Sequence, residues 1–213
     1  MQYRLFVVGP LLTNCYVLWD ESTLEGYIID PGGNNLNEVI DFIKSRNINL
    51  KYILATHGHF DHIMGVQSIK ARFDGVKFLI HKDDERLVFR SKELAEYFNI
   101  PEDFEVPVID GYISEGKIDE IEVIHTPGHT MGSVCFLVDN KFLFTGDTLF
   151  KGTVGRVDLG GNAEKLFESL EKLKGLDDRL IVLPGHGESS TLGEEKNNNP
   201  FLNGTLTLQD IAS

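Results

Sequence analysis

Residues 56–62 read THGHFDH, and they follow directly on the apolar stretch KYILA at residues 51–55. The segment contains three histidines and one aspartate, namely His57, His59, Asp61 and His62. Neutral imidazole and carboxylate oxygen are good ligands for zinc and for similar divalent metals. On a loop, side chains this close in sequence can point in several directions and surround more than one ion. The segment therefore predicts a metal site at the end of a buried strand.

Three further ligand candidates occur later in the chain in a similar context. They are His129 in HTPGHTMGS at 125–133, Asp147 in FTGDTLF at 144–150 and His186 in LPGHGE at 183–188. Each follows an apolar run or lies in a turn that contains glycine, which is where a rigid scaffold presents functional side chains. This recurrence indicates that separate pieces of the chain contribute to one metal centre.

The first half of the chain alternates strand-like and helix-like patterns. Three short runs rich in β-branched and aromatic residues, QYRLFVV, NCYVLW and GYIID, predict a strand meander within residues 1–30. Asn35 and Glu38 form a capping-box-like pair before a helix that runs to about Arg46. Further on, the patterns predict a strand at 51–56, a polar loop at 57–62, a helix from Val66 to near Asp74, a strand at 77–81 and a charged helical stretch at 82–98.

The second half repeats this alternation. The runs EVIHT, SVCFLV and KFLFTGD predict strands between 122 and 147, and RLIVLPG at 179–185 predicts the last one. Asn162 is the expected N-cap of one helix, and Thr191 with Glu194 the expected cap of a final short helix. Because no linker separates the two groups, we expect one domain, residues 1–213, of mixed α/β class with two packed sheets and helices on their outer faces.

The composition narrows the cellular setting and the partners. Hydrophobic residues make up 41% of the chain and charged residues 25%, the profile of a globular protein. The net charge of -13 repels nucleic acid, and no apolar run approaches the roughly 20 residues that span a bilayer. Cys15 and Cys135 lie in apolar runs, where a reduced, buried side chain is the usual state. We therefore expect a cytoplasmic protein that binds neither nucleic acid nor membrane.

The order H-x-H-x-D-H followed by single His, Asp and His residues resembles the metallo-β-lactamase superfamily. The resemblance is strongest to its glyoxalase II-type members, the hydroxyacylglutathione hydrolases, and includes DPG at 30–32 and GDTLF at 146–150. It implies a four-layer αβ/βα sandwich and two divalent metal ions, with zinc expected and iron or manganese as alternatives. One metal would be held by His57, His59 and His129, the other by Asp61, His62 and His186, with Asp147 bridging both. Asp30 would orient a ligand histidine by accepting its remaining N–H.

Two such ions would supply the chemistry of a hydrolase. They lower the pKa of a shared water from about 15.7 to near neutrality, so that a bridging hydroxide is available as nucleophile. An ion also polarises the target carbonyl and stabilises the oxyanion that develops. A thiolate leaves without a proton donor, whereas an amine needs one, and Asp61 is the candidate for that catalytic role. The resemblance implies that the partner is a small thioester substrate, such as S-lactoylglutathione, or a related ester, and this leaving-group chemistry agrees with a thioester.

Arg156 is the candidate for binding the substrate. It lies in GTVGRVD at 152–158, which resembles the family loop where a basic residue meets the glutathione carboxylate. A guanidinium can donate two parallel hydrogen bonds to a carboxylate. An exposed ion pair with Asp158 is the alternative interpretation. Only 27 residues follow His186, too few for the helical C-terminal domain of full-length glyoxalase II, so glutathione specificity stays open.

Other functions within the same superfamily fit parts of the pattern. A persulfide dioxygenase uses one iron on residues that match His57, His129 and Asp147, a set suited to Fe(II) and oxygen. That relative carries a cysteine before its G-R-T-D-F segment, whereas Thr153 and Val154 stand in this region here, which favours the hydrolase. The lactamases proper are usually secreted and carry a cysteine, or no bridging carboxylate, at the position of the bridging aspartate.

A structural metal site is the remaining class, in which the ion holds the fold together and does no chemistry. Structural zinc sites are typically closed, four-coordinate and rich in cysteine. A set of His and Asp residues without cysteine favours an open, catalytic site instead. The sequence leaves the oligomeric state open.

Overall fold

The structure is a computed structural model, and it describes residues 1–100, 104–207 and 209–210. The chain forms two compact units, Met1–Tyr112 and Ile113–Ser213. They correspond to the two successive groups of strands and helices in the sequence pattern. None of the helices in the described part of the chain has the length and apolar character that a membrane crossing requires. The expectation of one domain for residues 1–213 stays a prediction.

The first unit is built on a six-stranded sheet whose strands follow chain order. The strands are β1 (Gln2–Val8), β2 (Thr13–Trp19), β3 (Glu25–Ile29), β4 (Asn49–Leu54), β5 (Lys77–His81) and β6 (Gly111–Ile113). The first three pair antiparallel, which confirms the predicted meander. Strands β3, β4 and β5 are parallel neighbours, with Ile29 opposite Leu54 and Leu54 opposite Leu79. The carboxyl ends of these three strands therefore lie side by side at one edge of the sheet.

The helices of the first unit are short. They are α1 (Asn37–Ser45), α2 (Phe60–Ile63), α3 (Val66–Lys70), α4 (Glu85–Phe89) and α5 (Ser91–Tyr97), with a 3-10 turn at Lys82–Asp84. Helix α1 buries Val39, Ile40 and Ile43 in a core that also contains Ile28 and Ile53 of the sheet. Full burial of one such side chain contributes roughly 1.5–3 kcal/mol, so this apolar face fixes α1 to the sheet.

Three local predictions for the first unit need correction. The N-cap residue of α1 is Leu36, so Asn35 lies one position too early to cap the helix. Its side chain instead accepts a hydrogen bond from the amide of Asn37 at 3.3 Å. The expected loop at 57–62 already turns helical at Phe60, where α2 begins. The predicted charged helix at 82–98 is three separate pieces, since a 3-10 turn and a break at Arg90 interrupt it.

The second unit is built on another six-stranded sheet, in the order β14-β13-β10-β9-β8-β7. Its strands are β7 (Gly116–Ile118), β8 (Ile121–His125), β9 (Val134–Val138), β10 (Phe142–Gly146), β13 (Ile181–Pro184) and β14 (Ser190–Thr191). A separate two-stranded ribbon consists of β11 (Leu149–Phe150) and β12 (Thr153–Val154). Strands β10 and β13 are parallel, with Gly146 opposite Pro184. The shortest strands, among them β7 and β14, carry too few residues for a sequence pattern and were not predicted.

In the described part of the second unit, two helices begin where the sequence predicts. Asn162 caps α6 (Ala163–Lys174) by accepting a hydrogen bond from the amide of Lys165 at 2.9 Å. Thr191 and Glu194 form the reciprocal capping box at the start of α7 (Leu192–Asn198). A cap is worth about 0.5–2 kcal/mol and depends only on neighbouring residues, which explains why it can be read from the sequence. The predicted mixed α/β class is confirmed.

Both cysteines are buried and reduced, as predicted. Burial raises the pKa of Cys135 to about 11 and that of Cys15 well above its ordinary range. Because the thiolate is the reactive species, we expect neither thiol to react with Ellman's reagent in the native protein at about pH 8. Both should react after denaturation in guanidinium. A Ser22→Cys variant, with its thiol in an exposed turn, should add one rapidly reacting group and serve as the control. Rapid native labelling of the unaltered chain would contradict this prediction.

Candidate metal centre

The parallel strands of the first unit place the predicted site residues at a common sheet edge. Asp30 follows β3, and Thr56 and His57 follow β4. Backbone hydrogen bonds continue the sheet to this edge, since the amide of Asp30 donates to the carbonyl of Leu54 at 3.1 Å. In parallel α/β sheets this carboxyl edge is where ligands bind. The register of β3 and β4 therefore brings Asp30 next to the THGHFDH segment.

The Asp30 carboxylate is buried and receives hydrogen bonds from two residues of that segment. One oxygen accepts from the Thr56 amide at 2.7 Å, and the other lies 2.6 Å from the Thr56 hydroxyl and 2.9 Å from His62 Nδ1. A buried carboxylate is tolerated only when its oxygens are satisfied in this way. The contact between Asp30 and His62 has the form that the sequence analysis expects of Asp30.

These contacts determine which nitrogen of two histidines carries the proton. A carboxylate can only accept, so His62 Nδ1 carries a proton, and in the neutral imidazole, the form that binds metals, Nε2 carries the lone pair. The Thr56 hydroxyl donates its single proton to Asp30, so its oxygen accepts a hydrogen bond from His57 Nδ1, which lies 3.1 Å away. His57 Nε2 therefore also carries a lone pair. Both imidazoles are held in the tautomer that binds a metal through Nε2.

The remaining residues of the segment lie close to these two nitrogens. His57 Nε2 is 3.1 Å from His59 Nδ1, and the rings of His57 and His62 are 4.1 Å apart between centroids. His62 Nε2 is 3.5 Å from an Asp61 carboxylate oxygen. The structure thus brings all four predicted ligands of the first unit together.

Glycine allows the DPGG turn to pack directly against this segment. A Cβ on Gly32 would lie 1.7 Å from the carbonyl oxygen of Asp61, which no side chain could avoid. Next to it, the amide of Gly65 donates to the carbonyl of Pro31 at 2.8 Å. The turn that carries Asp30 and the helix that carries Asp61 are therefore held together through their backbones.

The second unit brings its three predicted ligands together, two of them at the ends of parallel strands and His129 in the loop between β8 and β9. Asp147 follows β10 and His186 follows the parallel strand β13, and the amide of Gly185 donates to the carbonyl of Gly146 at 2.8 Å. One Asp147 carboxylate oxygen lies 3.6 Å from His186 Nε2 and 3.7 Å from His129 Nε2. This oxygen faces a histidine on each side, which suits a bridging carboxylate.

His129 is held by a backbone contact that sequence analysis did not predict. Its Nδ1 donates to the carbonyl oxygen of Arg156 at 2.7 Å, so its Nε2 carries the lone pair that faces Asp147. The contact requires Gly155, because a Cβ there would lie 1.8 Å from the carbonyl oxygen of Asp147 and 3.0 Å from His129 Nδ1. Gly155 in the GTVGRVD segment is a sequence signal for such a close backbone contact, but it does not show that His129 is the partner.

The distances within each unit fit a metal ion. Two lone pairs that face each other repel unless a cation lies between them, and 3.5–3.7 Å is too long for a good N–H to oxygen hydrogen bond. Two ligands of one tetrahedral zinc ion, at bond lengths of 2.0–2.2 Å, are separated by about 3.4 Å. The donor set, imidazole nitrogen with carboxylate oxygen, is also the one that borderline divalent metals prefer. The assembly of all seven residues into one centre stays a prediction.

Arg156, the predicted substrate-binding residue, forms an exposed ion pair with Asp158. The Nε atom of Arg156 donates to one Asp158 oxygen and the terminal nitrogen to the other, each at 2.5 Å. This hydrogen-bonded guanidinium lowers the pKa of Asp158 to about 2. The geometry is the bidentate one that a guanidinium can offer to any carboxylate.

Two histidines outside the predicted ligand set have local roles. The side chain of His81 caps the 3-10 turn by accepting a hydrogen bond from the amide of Asp83 at 3.3 Å. His125 Nε2 lies 3.0 Å from the carbonyl oxygen of Met131, a residue of the loop that also carries His129. His125 therefore supports that loop.

The chain thus combines a mixed α/β fold with histidine and aspartate residues at the carboxyl ends of parallel strands, the arrangement of a metal-binding α/β protein. The chain belongs to the metallo-beta-lactamase superfamily, whose family profile matches residues 8–186. The resemblance stated from the HxHxDH motif is therefore confirmed.

Individual relatives cover almost the whole chain. Hydroxyacylglutathione hydrolase GloC of Haemophilus influenzae is 36% identical, over 95% of this chain and 99% of the relative. Among solved structures, the BLEG-1 B3 metallo-beta-lactamase is 32% identical with a TM-score of 0.86, over 95% of this chain and 100% of that one. The structure of TTHA1623 in a di-iron-bound form is 32% identical with a TM-score of 0.85, over 93% and 100%.

The contacts of Asp30 predict how its removal affects metal binding. Asp30→Ala removes the acceptor that fixes His62 directly and His57 through Thr56, so we expect a metal affinity about 10- to 100-fold lower. Competition with a fluorescent chelator measures this. Asp20→Ala is the matched control, because Asp20 accepts amide hydrogen bonds from Ser22 and Thr23 in an exposed turn. Equal affinities of Asp30→Ala and the unaltered chain would contradict the positioning role.

Proposed function

We propose that this protein hydrolyses small thioesters with the help of two divalent metal ions. The observation that carries the proposal is the set of histidine nitrogens that face carboxylate oxygens at 3.5–3.7 Å while contacts to Nδ1 fix the tautomers of His62 and His129. The similarity to a hydroxyacylglutathione hydrolase along nearly the whole chain supports the choice of a thioester.

The ligand assignment that we propose is the one that the family resemblance implies. One ion is held by His57, His59 and His129, the other by Asp61, His62 and His186, and Asp147 contributes to both. When bound, two such ions provide a nucleophilic hydroxide near neutral pH and polarise the carbonyl of the substrate. The oxygen of Asp147 that faces His129 and His186 supports its bridging position.

The protein's own residues keep this site ready to react. Asp30 and Thr56 hold His57 and His62 in the tautomer whose Nε2 carries a lone pair, which is the form that binds a metal through Nε2. The Arg156 carbonyl does the same for His129. Asp61 is the available carboxyl group for protonating a poor leaving group. A thiolate does not need that proton, which is why a thioester suits this set of residues.

Arg156 is the residue that we propose for binding an anionic group of the substrate. Its guanidinium is more than half exposed and already engages a carboxylate, that of Asp158. Binding a substrate carboxylate would therefore replace the exposed ion pair between Arg156 and Asp158 by an exposed ion pair between Arg156 and the substrate. Exposed ion pairs contribute only about 0–1 kcal/mol, so this exchange costs little.

The proposal is tested by metal analysis and parallel assays on the purified protein. We expect about two metal ions per chain and turnover of S-lactoylglutathione or a simpler acyl thioester, both lost on chelation and restored by zinc, iron or manganese. Asp147→Ala should lower metal content and turnover together, because its carboxylate serves both ions. Full metal content and turnover in that variant would remove Asp147 from the centre. Chelated protein should keep its far-UV circular dichroism, which separates a catalytic metal from a structural one.

A β-lactam is the second candidate substrate, because a structurally similar protein with 32% identity is described as a B3 metallo-beta-lactamase. Nitrocefin hydrolysis in the same preparation measures this activity. Turnover of nitrocefin without any thioester hydrolysis would replace our proposal by this candidate. One iron per chain with persulfide-dependent oxygen uptake would replace it by the dioxygenase.

The role of Arg156 can be separated from that of the metal ligands. Arg156→Ala should raise the KM for a thioester with a carboxylate by up to about 5-fold, the effect of losing roughly 1 kcal/mol of binding. Metal content should not change, because His129 contacts the backbone carbonyl of residue 156. A neutral thioester of similar size is the control substrate, and its KM should stay the same. An unchanged KM for the anionic substrate would leave Arg156 as the partner of Asp158 only.

A further inference from the structure

Asp84 is a buried carboxylate that the proposed function does not use. It lies at the end of the 3-10 turn after β5 and is fully buried. Although it stands at the N-cap position of α4, its side chain makes no capping hydrogen bond. One of its oxygens instead accepts from the amide of Gly58 at 2.7 Å, across 26 positions of sequence. Because burying a carboxylate costs free energy unless its oxygens are hydrogen-bonded, the Gly58 amide offsets part of the cost of placing Asp84 there.

Gly58 lies between two of the proposed ligands, His57 and His59. Its amide belongs to the peptide group that joins His57 to Gly58, so a hydrogen bond to this amide fixes the plane of that peptide. The orientation of the peptide plane sets the direction in which the His57 side chain leaves the backbone. The Nε2 of His57 is 3.1 Å from His59 Nδ1, and this separation depends on the backbone of the three residues.

The packing around Gly58 shows that Asp84 is in tight contact with the segment. A Cβ on Gly58 would lie 3.0 Å from the Cβ and the carbonyl oxygen of Asp84 and 2.9 Å from the Cβ of Leu87. The neighbouring helix α2 packs on the same region, where Phe60 shares an apolar cluster with Ala95 of α5. The 82–97 stretch is therefore the support on which the His57–His59 backbone rests.

We propose that Asp84 is a positioning residue of the metal centre, whose carboxylate holds the peptide between His57 and Gly58 and so sets the geometry of the His57 and His59 imidazoles. This inference rests on the proposed function, since it assumes that these histidines bind metal. Asp30 and Asp84 then hold the segment from the ends of β3 and β5, the two strands that flank β4. Asp30 fixes side-chain tautomers, and Asp84 fixes the backbone.

The test compares metal affinity in full-length variants by chelator competition with zinc. Asp84→Ala removes the acceptor, and we expect an affinity about 10- to 100-fold lower, the usual effect of losing a contact that orients a ligand. Asp84→Asn keeps an acceptor oxygen without the charge and should lose less. Asp83→Asn is the matched control, since Asp83 is the exposed neighbour, and its affinity should equal that of the unaltered chain.

Two further measurements separate positioning from a general loss of structure. In metal-free protein, amide exchange of Gly58 should become at least about 10-fold faster in Asp84→Ala, while core amides of β3 and β4 keep their protection. Thioester turnover of Asp84→Ala should recover at saturating zinc, because the ligands are present and only their arrangement is weakened. A merely structural role would also speed exchange of the β3 and β4 core amides, and it is this exchange that separates the two roles, because bound metal stabilises the folded state in either case.

The outcomes distinguish this inference from the proposed function. If Asp84→Ala binds zinc as tightly as the unaltered chain while Asp30→Ala binds it weakly, Asp84 has no positioning role and the metal centre stands. If the unaltered chain binds no divalent metal, the proposed function is wrong and this inference is overturned with it. Should Asp84→Ala fail to fold, Asp84→Asn decides. If the Gly58 amide exchanges faster in Asp84→Asn than in the unaltered chain, the hydrogen bond is weakened there. An unchanged zinc affinity in that same variant would then overturn the positioning role of Asp84.

Discussion

The buried carboxylate of Asp30 is the contact on which the first half of the centre depends. It accepts hydrogen bonds from the amide and the hydroxyl of Thr56 and lies within hydrogen-bond distance of His62 Nδ1. This single carboxylate therefore fixes the backbone at Thr56, the orientation of the Thr56 hydroxyl and the His62 imidazole. Asp30 adopts a left-handed backbone conformation with φ 53°, which aspartate tolerates better than most residues. Without that turn the carboxylate would leave the end of β3 in another direction.

The parallel pairing of strands supplies these contacts in both units. In the first unit β3, β4 and β5 end beside one another, and Asp30, His57 and Asp84 follow these ends in turn. In the second unit the parallel strands β10 and β13 do the same for Asp147 and His186. Each unit also fixes a histidine through Nδ1, once with a carboxylate and once with a backbone carbonyl. The lone pairs that result face carboxylate oxygens, so a bound cation would relieve repulsion in each unit and stabilise the folded state.

The sequence predicts those features of the centre that depend on residues near one another in the chain. Such local features are the THGHFDH segment, the caps at Asn162 and Thr191, and the apolar runs of β3, β4 and β10. Their roles can be predicted from the types and spacing of neighbouring residues. The partners that fix the ligands are distant: Asp84 is 26 positions from Gly58, and Arg156 is 27 from His129. Asp30 was anticipated only through the family resemblance. A backbone carbonyl such as that of Arg156 carries no sequence signal, because every residue has one.

Arg156 shows how one residue can serve both parts of a site without coupling them tightly. Its carbonyl oxygen accepts from His129, whereas its guanidinium reaches Asp158 in solvent. Rotation about side-chain bonds leaves the backbone carbonyl in place, so the guanidinium can exchange Asp158 for another carboxylate while His129 keeps its tautomer. The same separation limits selectivity, since an exposed ion pair contributes at most about 1 kcal/mol. Strong preference for a particular acyl group would therefore have to come from contacts to the apolar part of the substrate, and not from this arginine.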